Sequence, residues 1–155
     1  MPALSAERQL AQFISKYTPA VAKEGRAALK AMTRLVPGAT RMVYDNYNFL
    51  VIGYGPSERA SDAVVSLAFT PRWITLCFLQ SGTKLPDPQK LLRGSGSRVR
   101  NVRLSSAKDL STPAVKALLA ESLRRAGVPI DPKARGRLII KSISAKQRPR
   151  RPRST

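Results

Sequence analysis

Two alternating runs, separated by a single Pro-Arg pair, constrain this chain more than any other feature. Across residues 64–70, Val65, Leu67 and Phe69 alternate with smaller side chains; across 73–79, Ile74, Leu76 and Phe78 do the same. Alternation of period two is the mark of a strand with one buried face. Pro71-Arg72 joins the runs as a hairpin, although the pair lacks primed-turn chemistry and leaves room for a wider loop. A sheet with one apolar face must then be covered by something, and the remaining sequence has to supply that cover.

The helices meet that need. Leu10, Phe13, Ile14 and Tyr17 follow the spacing of one helical face, which predicts a first helix from about Ala6 to Tyr17. Thr18-Pro19 places a capping side chain before a proline at the first helical position, where the missing N–H costs nothing. A second helix with Val21, Ala28, Met32 and Leu35 on its stripe follows, and Pro37-Gly38 stops it. Thr112-Pro113 repeats the cap-plus-proline signal before Val115, Leu118, Leu119 and Leu123, and Gly127 with Pro129 ends this helix. Further strands are expected at Phe49–Tyr54, Arg98–Leu104 and Gly136–Ser144.

The expected order is α-α-β-β-β-β-α-β. This is an α+β fold, a mostly antiparallel sheet with two N-terminal helices and one C-terminal helix packed on it. The division is a domain over residues 1–144 and a disordered basic tail over 145–155. That tail contains charged-proline steps and no core residue.

Charge and missing residue types narrow the chemistry. The 155 residues include 28 Lys and Arg, 9 Asp and Glu, no histidine and one cysteine, for a formal charge of +19. No acidic residue follows Asp131, and nine of the basic residues lie beyond it, yet the chain before Lys133 still holds 19 basic against 9 acidic residues. An anionic partner is the expectation: a small anion or metabolite held near Tyr44, Asp45, Tyr47 and the 94–100 loop, and nonspecific nucleic acid attracted by the tail. Without histidine, Ser-His and Cys-His activation are excluded, and Cys77 reads as a small core residue in an apolar strand. Zinc lacks its ligands and no acidic cluster suits a hard cation, so neither a metal site nor a cofactor is assigned. No catalytic residues are assigned, and an enzyme is the least favoured class. No apolar run has transmembrane length and no secretory signal is read, which makes a cytoplasmic protein without membrane attachment the expectation.

Three segments carry the candidate sites. The first is 43–48, where Tyr44, Asp45, Asn46 and Tyr47 suit either a polar pocket rim or a tight strand connection. The second is 94–100, where Gly94 and Gly96 would let backbone N–H groups converge on an anion near Ser95, with Arg98 and Arg100 completing the nest. A flexible loop entering a basic edge strand is the plainer alternative. The third is the tail, either a solubilising appendage or an electrostatic arm in which Lys146, Arg148, Arg150, Arg151 and Arg153 could together steepen a salt dependence by ~4–5 log units per log unit of salt. It has no aromatic side chain for base stacking, which predicts nonspecific binding.

The segments VYDNYN (43–48), GYGPSERASDA (53–63), TPRWITLCFLQSG (70–82), GSGSRVRNVRL (94–104) and GRLIIKSISAKQRPRRP (136–152) resemble the YdhG-like family. This is a bacterial domain family of largely unknown function, and the likeness extends from about Phe13 to Pro152. It implies an α/β domain with an antiparallel sheet and flanking helices. Some members are described as frataxin-like intracellular iron chaperones, so iron delivery is the alternative the resemblance brings. That role uses exposed carboxylates, and no iron-binding residue is carried over to this chain.

Overall fold

A computed structural model describes residues 4–153. Helices α1 (Ala6–Ser15) and α2 (Pro19–Leu35) lead into strands β1 (Thr40–Asp45), β2 (Leu50–Gly55), β3 (Val65–Phe69), β4 (Ile74–Phe78) and β5 (Arg100–Leu104). Helix α3 (Pro113–Arg124) and strand β6 (Leu138–Ile143) follow. The fold is α+β, with six strands in the order β5-β4-β3-β2-β1-β6. All neighbours are antiparallel except β6, which lies parallel to β1 at the sheet edge. The two N-terminal helices and the C-terminal helix supply the apolar cover that the sheet requires.

The hairpin expected from the alternating runs is β3–β4. Val65 faces Phe78, Leu67 faces Leu76 and Phe69 faces Ile74. The Thr70 N–H donates to the Trp73 carbonyl at 2.9 Å, so Pro71-Arg72 forms a tight turn rather than a wider loop. Val43, Ile52, Leu67, Leu76 and Val102 continue one apolar row across five strands and join the helix residues in the core. Helix α2 comes so close that a Cβ on Gly25 would run into the Phe69 ring. Thr18 caps α2 as expected, its side chain accepting from the Val21 N–H at 3.2 Å.

Strand β1 was not among the expected strands. Its sequence, TRMVYD, hides its period because both faces are covered: Met42 is fully buried on one side, Val43 and Asp45 on the other. The order is therefore α-α-β-β-β-β-β-α-β. Thr112 precedes α3 as expected, but its hydroxyl donates to the Asp109 carbonyl at 2.7 Å and does not cap the helix. Cys77 points to the face away from the core row and is half-buried rather than a core residue; burial still pushes its thiol above the ordinary range.

The larger correction concerns the C-terminal segment. Residues 145–153 run back along the end of the sheet, and Arg150 is buried. The expectation that this stretch lacks any core residue therefore fails at Arg150, for an electrostatic reason given below. Ser154 and Thr155 of the expected tail lie outside the described residues.

Candidate anion-binding surface

The strand directions collect several chain segments at one end of the sheet. Strand β1 ends at Asp45, β3 at Phe69 and β5 at Leu104, while β2 starts at Leu50 and β4 at Ile74. The β1–β2 and β3–β4 turns therefore lie side by side. In the first turn the Asn46 N–H donates to the Phe49 carbonyl at 3.0 Å. Of the two readings of 43–48, the structure shows the tight strand connection. Its tip leaves Tyr47 51% and Phe49 42% exposed, high values for aromatic side chains.

Asp45 is not on a pocket rim. Alternation along β1 turns its side chain toward the helices, where it is fully buried. One carboxylate oxygen accepts from Arg150 Nη2 at 2.9 Å and the other from Lys16 Nζ at 3.2 Å. The Arg150 and Asp45 side chains are 4% and 1% exposed, whereas Lys16 is 45% exposed. A buried carboxylate without a partner is costly, and so is a buried guanidinium; each makes the other tolerable. Arg150 also donates to the Asn46 carbonyl at 2.5 Å and the Tyr47 carbonyl at 3.3 Å. Its Nε is buried without a hydrogen-bond partner among the described residues.

Backbone bonds extend this anchor on both sides. The Ser144 N–H and the Gln147 side-chain amide donate to the Asp45 carbonyl at 2.9 and 3.0 Å. The Arg148 N–H donates to the Tyr47 carbonyl at 2.8 Å, and Arg151 Nε to the Lys16 carbonyl at 3.1 Å. Beneath them Tyr17 accepts from the Leu50 N–H and donates to the Phe69 carbonyl, both at 3.1 Å. Burial raises the Tyr17 hydroxyl above its usual range, with the Leu50 bond acting in the opposite direction. The C-terminal segment is thus a strap tied across the end of the sheet.

With Arg150 turned inward, its neighbours face a groove of about 370 Å³. Arg148, Arg151 and Arg153 line it together with Asn48, Phe49, Pro71 and Arg72. Arg148 also lies 6.0 Å from the Tyr47 ring centroid. The strap has no aromatic residues of its own, but the β1–β2 turn brings Tyr47 and Phe49 beside it. Sequence reasoning missed this pairing because residues 47–49 and 148–153 are remote along the chain. It also missed Arg72, which it had read only as a turn residue. Lys146 is exposed but does not line the groove.

Other expected site residues lie elsewhere. Tyr44 points to the opposite face from Asp45, with its hydroxyl 3.9 Å from the Met42 sulfur, and burial raises it. The Asn46 side chain accepts from the Ser142 hydroxyl at 3.3 Å. The 94–100 loop enters β5 at Arg100, opposite Phe78, which is the other end of the sheet. Four strand spacings, about 19 Å, also separate β5 from β1. Segments 43–48 and 94–100 therefore do not form a common pocket.

Nor does the loop form the expected nest. Arg93 and Asn101 close its base through paired backbone bonds of 2.8 and 2.9 Å. Arg100 Nη1 then donates to the Gly96 and Val99 carbonyls at 2.5 and 2.8 Å. Two carbonyls converge on a cation here, the reverse of N–H groups converging on an anion. Ser95 and Arg98 are exposed.

Among the described residues no three His, Cys, Asp or Glu side chains group to hold a metal ion. No helix among them is long and apolar enough to cross a membrane. No protein-family model, curated protein or solved structure matches the chain. The likeness to the YdhG-like family therefore rests on the sequence segments named above.

Proposed function

We propose that this chain is a non-enzymatic binding domain whose groove takes a flexible polyanion, with single-stranded nucleic acid the best fit. One observation carries the reading: four arginines, Arg72, Arg148, Arg151 and Arg153, line the same groove as Phe49. Arginine side chains supply phosphate contacts, and an exposed ring supplies a surface on which any base can stack. The Arg150–Asp45 pair holds the strap in place, which lowers the ordering cost of binding. The setting we assign is the bacterial cytoplasm, where the lone Cys77 remains a thiol. The iron-carrier alternative would need clustered carboxylates, and among the described residues no three His, Cys, Asp or Glu side chains group together.

The test is a salt series with a short fluorescent oligothymidylate and a duplex of equal length. Replacing Arg148, Arg151 and Arg153 together by Ala should reduce the single-strand salt slope by about 2 log units per log unit of salt. Phe49→Ala should weaken the single strand by about 1–3 kcal/mol and leave the duplex nearly unchanged. Unaltered binding by the triple variant would place the contact surface elsewhere.

A further inference from the structure

Alternation sorts the strand residues onto two faces, and the helices pack on one of them. Ile74, Leu76, Val102 and Leu104 meet the helices in the core, so Trp73, Thr75 and Arg103 point the other way. The register extends this second face across five strands as the row Tyr44, Val51, Ala68, Thr75 and Arg103. Phe49 and Trp73, each one residue before its strand, add the next row at the turn end. Strands β2 and β4 flank β3, which sets those two rings about 10 Å apart. At the far end Ala63 packs over Gly53 and Gly55. The half beside the turns is open, with Arg103 exposed and Phe49 and Val51 lining one shallow concavity. The Arg103 guanidinium lies 3.7 Å from the centroid of the Trp73 ring, a close stack for such a pair. Among the described residues Arg103 forms no salt bridge. Asp45 is the one acidic residue within a strand, and it faces the helices.

We infer that a nucleic-acid single strand held in the groove continues onto this open sheet face, where its bases stack on Phe49 and on the Trp73–Arg103 pair. The identity of the occupant rests on the polyanion reading above, whereas Trp73, Thr75 and Arg103 are residues that reading does not use. Phe49 makes the two surfaces continuous, since it lines the groove and also stands on the face. A guanidinium laid flat on an indole offers its outer side to a base and its N–H edge to a phosphate. A face with cationic and aromatic groups but no carboxylate complements a chain of phosphates and unpaired bases. It suits a second copy of this chain poorly, because each copy would bring an uncompensated Arg103 and a net charge of +19. A duplex keeps its bases paired and cannot stack them here.

Trp73 is the only tryptophan in the chain, so its emission reports contact at this face. The full chain is titrated with oligothymidylate, an abasic strand of equal length and a duplex. Anisotropy of dye-labelled strands reads binding, and tryptophan emission with unlabelled strands reads stacking. Oligothymidylate should quench Trp73 saturably; the abasic strand should bind more weakly and, like the duplex, leave the emission unchanged. At fixed salt Arg103→Ala should weaken oligothymidylate about tenfold. Thr75→Glu, which sets a carboxylate opposite Arg103 without removing it, should do the same. Arg103→Lys, which keeps the charge and loses the flat surface, should fall between Arg103→Ala and the parent. Melting temperatures establish that each variant is folded. Oligothymidylate that is weakened by the Arg148, Arg151 and Arg153 triple variant, yet leaves Trp73 emission and Arg103→Ala affinity unchanged, would overturn this inference and keep the groove. Binding unaltered in the triple variant but weakened in Arg103→Ala and Thr75→Glu would remove the groove and keep the face. No binding of oligothymidylate at all would overturn both. A dimer in sedimentation whose dissociation changes Trp73 emission, with no effect of oligothymidylate, would overturn the inference by giving the face to a second copy.

Discussion

The strap at 145–153 and the loop at 94–100 are both short, basic and rich in turn formers, yet the fold uses their arginines in opposite ways. In the strap one arginine, Arg150, is buried against Asp45, and its neighbours Arg148, Arg151 and Arg153 are left facing a groove. In the loop Arg100 turns back on the Gly96 and Val99 carbonyls, so the loop uses its own charge to hold its shape. A basic sequence is thus no guide to a basic site. What matters is whether the buried anchoring cation is a different residue from the exposed contacting ones; Arg151, exposed in the groove, adds only a surface tie to the Lys16 carbonyl.

The hardest way to break this comparison is to remove the anchor. Arg150→Ala leaves Asp45 buried with only the half-exposed Lys16, and should lower unfolding stability by about 3–5 kcal/mol, read as a fall in the urea midpoint. Ending the chain after Ser144 should do the same, because it removes the same guanidinium. A midpoint unchanged in both would mean that the strap is not tied down.

Replacing the three groove arginines sharpens the contrast from the other side. The Arg148, Arg151 and Arg153 triple Ala variant should unfold within about 1 kcal/mol of the parent while losing polyanion binding. A large stability loss in that variant would make the contacting and anchoring roles inseparable.

Lys16→Ala tests the same carboxylate through its exposed partner. Because the Lys16 side chain is 45% exposed and screened by water, the expected loss is about 1 kcal/mol or less. Thermal melts at low and high salt measure it, and a loss matching that of Arg150→Ala would show that burial does not rank the two partners. The smallest effect on binding is expected in the loop. Arg98→Ala combined with Arg100→Ala should cost about 1 kcal/mol in stability and leave oligothymidylate binding unchanged. A loss of binding in that variant would move the anion site to the loop after all.

Much of the fold is legible because its signals are local. The Thr18 cap acts across three residues, and the alternation of Val65, Leu67 and Phe69 declares a face within five. Strand β1 escaped because burial on both sides erased its alternation, and the parallel pairing of β6 with β1 escaped because no turn joins them. The candidate groove was legible only in fragments. The sequence marked Arg148, Arg151 and Arg153 as basic and Tyr47 as a candidate, but it placed Arg150 with the contacting residues and left Asp45 between a pocket rim and a turn.

By itself, then, the sequence determined the α+β class, the helix-covered antiparallel hairpins, and a strongly positive net charge of +19. Those follow from periodicity, capping and composition, which depend on neighbours along the chain or on no neighbours at all. Only the tertiary structure decided which arginine is buried and which are offered. The Arg150–Asp45 pair joins residues 105 apart in sequence, at an end of the sheet that exists only once β1 has formed between β2 and β6. An isolated charge is expensive to bury, so its partner cannot be inferred until the fold has brought the two together.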